Sequence, residues 1–232
     1  NKVETLLSTE NEAEARQHFR LCSQSQWNYT AAKAALADEG WRQEIIPVAY
    51  RPFDTRFTVY NSHVAVHRRE RVMAHMVDRN NLSLLATKAV RDNVYAHCSV
   101  ADKCNEVIYL SGVSASNAMC LPLYLYPEES TLDQTIRVNF DPKLYAQIRK
   151  TAGLKGVTAP PDGTGAFRKS TGEARPDEVK VFDYVYGALH CPAYRETYAD
   201  FLKTGFPRIP FPSSPEVFRK VSEQGEALRR LH

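Results

Sequence analysis

Apolar positions along this chain recur at two spacings, and the region where each dominates sets the expected architecture. Phe182, Val185, Tyr186 and Leu189 fall at i, i+3, i+4 and i+7, one face of an α-helix. Tyr194, Tyr198, Phe201 and Leu202 repeat the pattern, and both aromatic stripes read as core. Breakers frame them: Pro192 separates the two helices, and Gly205 followed by Pro207 ends the second. Helices are therefore expected over 177–190, 192–204 and 214–231. Asp141-Pro142 is a further helix start, an N-cap followed by proline in the first turn, with Gly153 placed to close it.

Upstream the pattern shortens. Segments 45–50, 56–60, 64–66, 82–87, 95–98, 107–110 and 121–126 read as strands separated by turn residues. Pro47 makes the first an edge strand or one only partly paired. Segment 10–21 has helical composition, Thr30 is a plausible N-cap for a helix through Leu36 with Gly40 after it, and 69–77 reads as a short helix with Val72, Met73 and Met76 inward. Strands and helices do not alternate in long βαβ units, so the class is α+β: a small mixed or antiparallel sheet with flanking helices, then a C-terminal helical subdomain. The expected organisation is an N-terminal helical segment (1–44), an α+β core (45–130), a helix with a flexible basic loop (131–175), and the helical subdomain (176–232).

Composition narrows the class without naming a function. With 232 residues, 43% of them hydrophobic, the chain can bury a sizeable core. Lys and Arg outnumber Asp and Glu by 30 to 27, which permits an acidic partner without demanding one. Five cysteines without paired spacing fit a reducing compartment. No stretch approaches the roughly 18 uncharged apolar residues of a membrane span, so the expectation is a cytoplasmic protein with no membrane partner. The chain opens on Asn1 instead of Met and reads as part of a longer polypeptide.

Two segments are more specific. Tyr50-Arg51-Pro52-Phe53-Asp54-Thr55-Arg56-Phe57-Thr58-Val59-Tyr60 is one. The other is Phe182-Asp183-Tyr184-Val185-Tyr186-Gly187-Ala188-Leu189-His190-Cys191-Pro192-Ala193-Tyr194-Arg195, continuing through Tyr198-Ala199-Asp200-Phe201-Leu202-Lys203 to Phe206-Pro207-Arg208-Ile209-Pro210. With Val72-Met73-Ala74-His75-Met76 and Leu121-Pro122-Leu123-Tyr124-Leu125-Tyr126-Pro127 between them, they cover about half the chain and resemble, in order, the C-terminal specificity (target-recognition) region of single-polypeptide type ISP and type IIG restriction–modification enzymes. The resemblance implies a parent with a nuclease, an adenine-specific DNA methyltransferase and, in some members, an ATP-driven translocase. The parent would use S-adenosylmethionine and Mg2+, with ATP in translocating members. This region would hold no cofactor and would direct the other parts to a site on double-stranded DNA.

Read from the residues alone, the same motifs are structural. Pro52 presets a turn that Asp54 can close, and Arg51 or Arg56 can pair with Asp54. Catalytic patterns are absent or misplaced. Asp92-Asn93-Val94-Tyr95 lacks the prolines that shape an adenine methyltransferase loop, and no Gly-rich turn links a strand to a helix. Pro161-Asp162 and Glu178-Val179-Lys180 match the letters of a metal-dependent nuclease, but the first lies in a Gly-rich loop and the second opens a helix, where Glu178 is a favourable first-turn charge. His63 and His67 would share a helix face only if Val64-Ala65-Val66 were not a strand, and Cys98 and Cys104 are isolated, so no metal or catalytic set is assigned.

A DNA-reading region needs Lys and Arg on phosphates and a few polar side chains at base edges. The candidates are Arg68, Arg69 and Arg71 at a strand-to-helix junction, Lys155, Arg168 and Lys169 with Arg175 in the Gly-rich loop, and Lys88 and Arg91 beside a predicted turn. Each alone is equally an ordinary solvated charge. The competing reading is a scaffold that docks the methyltransferase and nuclease domains of the same polypeptide without touching bases.

Overall fold

The helix boundaries follow the caps that the sequence supplies. In the computed structural model, which describes residues 2–88, 98–110, 117–156 and 163–232, the chain divides into two compact units: Asn1–Val48 with Arg56–Glu70, and Ala49–Thr55 with Arg71–His232. The chain passes from one unit to the other and back along a hairpin of β1 (Ile45–Arg51) and β2 (Asp54–Val59).

The first unit carries α1 (Lys2–Ser8), α2 (Glu12–Phe19), α3 (Tyr29–Ala35) and a 3-10 turn Glu39–Arg42. Asn11 caps α2 through the Ala13 N–H, and Asn28 caps α3 through the Ala31 N–H at 2.8 Å. The cap of α3 is thus Asn28, two residues before the expected Thr30, with an extended backbone and its amide oxygen on the N–H of the third helical residue. Leu6, Ala15, Tyr29, Leu36, Trp41 and Val59 form the core of this unit. Residues 64–66 are turn, not the expected strand: Asn61 Oδ1 accepts from the N–H groups of His63 and Val64, diverting donors that a ladder would need.

In the second unit, β3 (Ser83–Ala86) lies between β4 (Cys98–Ala101) and β6 (Met119–Pro122), antiparallel to both, with Leu84 opposite Val100 and Leu121. The two-residue strand β5 (Cys104–Asn105) completes the order β2-β1-β5, so β1 is a middle strand; its neighbour is too short to pair along its length, which leaves room for Pro47. The expected strand 107–110 is a turn, because Glu106 takes the Ile108 N–H on its carboxylate (2.8 Å) and the Tyr109 N–H on its carbonyl (3.2 Å). Of the expected strand 95–98, only Cys98 falls among the described residues. Segment 121–126 breaks at Leu123, whose N–H bonds the Leu82 carbonyl and whose carbonyl bonds the Asn139 N–H, so the chain moves on to a second ladder, β7 (Tyr124–Leu125) with β8 (Arg137–Val138).

The short helix α4 (Glu70–Met73) buries Met73, and the turn after it buries Met76. Asp141 caps α5 (Pro142–Ala152) through two backbone N–H groups, and Gly153 closes it at φ +66°. The longest contact is between α6 (Asp177–His190) and α9 (Pro215–Leu231), the latter capped by Ser214. Gly187 and Gly225 sit at their crossing: a Cβ on Gly225 would run into the Asp183 carbonyl oxygen, and one on Gly187 into that of Val221. Helix α6 lies between two apolar clusters, with Phe182, Tyr186 and Leu189 in one and Val181 and Tyr184 in the other. The expected helix 192–204 is two pieces, α7 (Pro192–Thr197) and α8 (Ala199–Thr204). The break at Tyr198 corrects the second stripe: Tyr194 and Leu202 are buried, whereas Phe201 is 75% exposed. Among the described residues no helix is long and apolar enough to cross a membrane.

Candidate functional site

The tip of the β1–β2 hairpin borders a cleft of about 280 Å³ in the second unit. On the hairpin side it is lined by Arg51, Phe53, Asp54 and Thr55, all from the motif read in sequence as a turn. Arg51 is held in place by Glu106 at 2.8 Å and by the Tyr50 ring 4.1 Å beneath its guanidinium. Val100 and Ala101 of β4 and Leu82, just before β3, form an apolar wall with Tyr109. Asp102 and Lys103 follow β4 at the rim, and Arg168, Arg229 and His232 complete the lining.

Each cation in this cleft has a carboxylate. Arg168 donates to the Asn81 carbonyl at 2.9 Å and reaches the Asp102 carbonyl at 3.3 Å and its carboxylate at 3.5 Å. Asp102 also bonds Lys103. Burial would raise the Asp102 carboxyl, but the hydrogen bond from Lys103 and the charges of Lys103 and Arg168 outweigh it and hold the group below its ordinary value. Arg229 lies on Asp183, which is fully buried and also takes Arg175 at 2.6 Å; Arg175 reaches Glu226 at 3.2 Å as well. His232 shares a hydrogen bond with the Tyr186 hydroxyl. The cleft therefore presents fixed donors and acceptors beside an apolar wall, an arrangement suited to reading polar edges, with little free positive charge for a polyanion.

The basic residues singled out from the sequence separate by exposure and pairing. Arg71, Lys88, Lys155 and Lys169 are exposed and have no side-chain partner among the described residues. Arg68 is half-buried over the Tyr60 ring (5.4 Å) and paired with Glu70. Arg69 is half-buried with a backbone φ of +49°. Arg168 is committed to Asn81 and Asp102, and Arg175, 4% exposed, belongs to the buried network instead of a solvated loop. Described residues 163–175 are partly ordered into 3-10 turns Ala166–Arg168 and Gly172–Ala174, with Phe167 in the core. Lys88 and the Arg168 contact at Asn81 lie at opposite ends of β3, roughly 20 Å apart at the rise of a strand. Arg91 lies outside the described residues, as do Asp92-Asn93-Val94-Tyr95 and Pro161-Asp162.

Glu178 and Lys180 sit on α6, not on adjacent strands. Glu178 lies in the first turn of α6 as expected, but it is a core residue there: it is 1% exposed, accepts from the Tyr124 hydroxyl at 3.2 Å, and is pushed above its ordinary value by burial. Lys180 pairs with Glu173 at 3.1 Å. The Cys98 thiol, close to His190 and Arg195, is pushed up to about 11 by burial, well away from nucleophilic reactivity. Among the described residues no group of three or more His, Cys, Asp or Glu is placed to hold a metal ion.

Sequence reasoning missed Asp102, Lys103, Glu106, Asp183 and Arg229. For Asp183 there was a signal: a lone carboxylate within the run 181–189, which has no other charged residue, calls for a buried cation. Asp102 and Lys103 are neighbours in the sequence, but Arg168 reaches Asp102 from 66 residues away, and the partners of Glu106 and Arg229 lie 55 and 46 residues away, so none of these carried a local signal.

Comparison with the curated proteins found no match. Among solved structures, the chain is similar to parts of three larger ones. These are the DrdV–DNA complex (TM-score 0.61, 21% identity, all of this chain against 20% of that one), a nuclease-deletion mutant of the type ISP restriction–modification enzyme LlaGI with a DNA substrate mimic (0.55, 18%, all against 18%), and the ATP-dependent type ISP enzyme LlaBIII bound to DNA (0.59, 14%, all against 13%). The chain thus spans a fifth or less of the length of each, and at these identities the likeness establishes the fold. A family profile covers residues 1–232 without a gap at either end, and on that match the chain belongs to the type ISP C-terminal specificity domain family.

Proposed function

We propose that this chain is the DNA target-recognition part of a longer restriction–modification polypeptide and directs the parent's adenine methyltransferase and nuclease to their site in the cytoplasm. The observation that carries this reading is the full-length match to a specificity-domain family. The fold shared with three chains solved on DNA or a DNA mimic supports it. The domain itself is the recognition part and not the catalytic one. S-adenosylmethionine, Mg2+ and, for a translocating parent, ATP belong to the other domains.

Of the basic residues, Arg71, Lys88, Lys155 and Lys169 are the proposed phosphate contacts, because they are exposed, and an exposed cation with no side-chain partner among the described residues can neutralise a phosphate without breaking one of the described bonds. Arg68, Arg69 and Arg168 are proposed to act from positions fixed by their own protein contacts, and Arg91 stands with the phosphate set on its sequence position. A docking role has one observation in its favour: Tyr198, Phe201, Phe206 and Phe211 are each 40% exposed or more within a short run, a surface suited to another domain of the parent.

Domain transplantation separates the two readings. Replacing this region in a full-length family member should move the methylated sequence to that of the donor, whereas an unchanged sequence would leave only the scaffold. Within the full-length enzyme, Lys169→Ala should weaken binding to cognate and random DNA alike and lower the log–log salt slope by about one. An unchanged slope would remove Lys169 from the interface.

A further inference from the structure

Phe53 occupies a position where the backbone does not favour an aromatic residue and the fold does not bury it. The β1–β2 hairpin closes through two residues, Pro52 and Phe53. Proline holds its own φ near −65°, and Phe53 has φ +63°. That sign pattern matches a type II turn, whose second central position favours glycine because a Cβ crowds the backbone there. A bulky residue at such a site is ordinarily retained by packing. Phe53 is 79% exposed, and its one described ring contact is an edge-on approach to His232 at 5.7 Å. Its stalk, in contrast, is fixed: Arg51 is clamped by Glu106 and stacked on Tyr50, and the cleft beside the ring offers Lys103 and Arg168 held on Asp102.

We propose that Phe53 is a wedge that inserts at a base step of the target duplex and stacks on the base it uncovers. The inference rests on the DNA-reading function proposed above and adds a specific contact to it. An aromatic ring projected from a rigid hairpin, in a backbone conformation adopted at a cost to folding, is suited to a partner with flat apolar faces inside an anionic shell. A nucleic-acid duplex has both. Apolar side chains inserted between base pairs unstack them and bend the duplex towards more of the protein surface. Strain observed at an exposed residue is consistent with such use. The fixed donors Arg51, Lys103 and Arg168 line the same cleft as the ring and would be available to the edge of an unstacked base.

The test uses the full-length enzyme and its cognate duplex, with 2-aminopurine placed at successive positions across the site. Wild type should raise the fluorescence at one step, reporting unstacking. Phe53→Gly should abolish that rise and weaken cognate binding on the order of ten- to a hundredfold, the range of one lost base–aromatic stack. Its thermal midpoint should stay equal or rise, because glycine relieves the turn. Phe53→Trp should retain the fluorescence signal. A duplex carrying a mismatch at the identified step should recover part of the affinity of Phe53→Gly. If Phe53→Gly loses thermal stability and leaves DNA binding and fluorescence unchanged, Phe53 is structural and the wedge is wrong. If wild type shows site preference but no unstacking at any position, the wedge is wrong and the recognition reading stands. If wild type shows no site preference, both fall together.

Discussion

Helix α6 and the pair α7–α8 look alike in the sequence and behave differently in the fold. Both carry aromatic residues at helical spacing. Over its 14 unbroken residues α6 keeps Phe182, Tyr186 and Leu189 on one buried line, and its opposite face is buried too. In the pair, Tyr198 leaves the helical conformation (φ −109°, ψ +19°) between two six-residue helices. Tyr194 and Leu202 stay inside while Phe201 turns out to solvent. Periodicity predicts which residues share a face only while the helix is continuous, and one non-helical residue resets the phase. The seat of α6 adds a second lesson: its security comes from a buried charge network and a close helix crossing that no stripe of apolar residues would reveal.

The largest expected effect comes from removing the centre of that network. Asp183→Ala leaves Arg175 and Arg229 buried without their shared carboxylate and should destabilise the domain by about 3–5 kcal/mol, the cost of breaking a buried pair from one side. Urea unfolding measures it. A loss below about 1 kcal/mol would mean that solvent reaches these guanidinium groups.

The aromatic contrast itself is tested by a pair of truncations. Tyr186→Ala, at a side chain with no exposure, should lose about 3–5 kcal/mol. Phe201→Ala should stay within about 0.5 kcal/mol, as exposed substitutions do. Equal losses would place Phe201 in the core after all. A stable Phe201→Ala enzyme with impaired assembly would instead locate a docking surface on α8.

The helix crossing supplies the next effect. Gly225→Ala places a methyl group against the backbone of Asp183, which cannot rotate away, so α9 must shift along α6. The expected loss is about 3 kcal/mol, the upper end of the usual range for overpacking. Thermal unfolding reads it, and a neutral result would show that the helices can separate without penalty.

The smallest effect is a pH dependence. Burial raises the Glu178 carboxyl, so the folded state binds its proton more readily than the unfolded chain does. Its contribution is therefore most favourable below the ordinary value of 4.5 and is lost as pH rises through the raised one. Glu178→Gln, which cannot ionise, should gain stability relative to wild type at pH 8 compared with pH 4. An identical difference at the two pH values would mean that Glu178 titrates as a solvated carboxylate.

Much of the secondary structure and the family resemblance was legible in the sequence. Asp141, Pro142 and Gly153 bracket α5 where expected, and Ser214 caps α9. The strands were less legible where a side chain intercepted the ladder, as Glu106 and Asn61 do for their own neighbours. The candidate site was legible only as charge. Arg168, Lys169 and Arg175 look equivalent in one basic loop, yet the fold commits the first to Asn81 and Asp102, leaves the second exposed with no side-chain partner among the described residues, and buries the third.

The sequence by itself determined what acts over a few residues: caps, turns, helix phase between breaks, and the order of motifs that marks the family. These rest on bonds between backbone groups and side chains two to four positions apart, so the local residues suffice to specify them. Only the tertiary structure decided which cations are available to a partner, which aromatic rings are core, and that the Arg51–Thr55 turn borders a cleft. The physical reason is distance along the chain. Arg229 finds Asp183 46 residues away and Arg168 finds the Asn81 carbonyl 87 residues away, and burial and charge pairing exist only after folding brings such groups together.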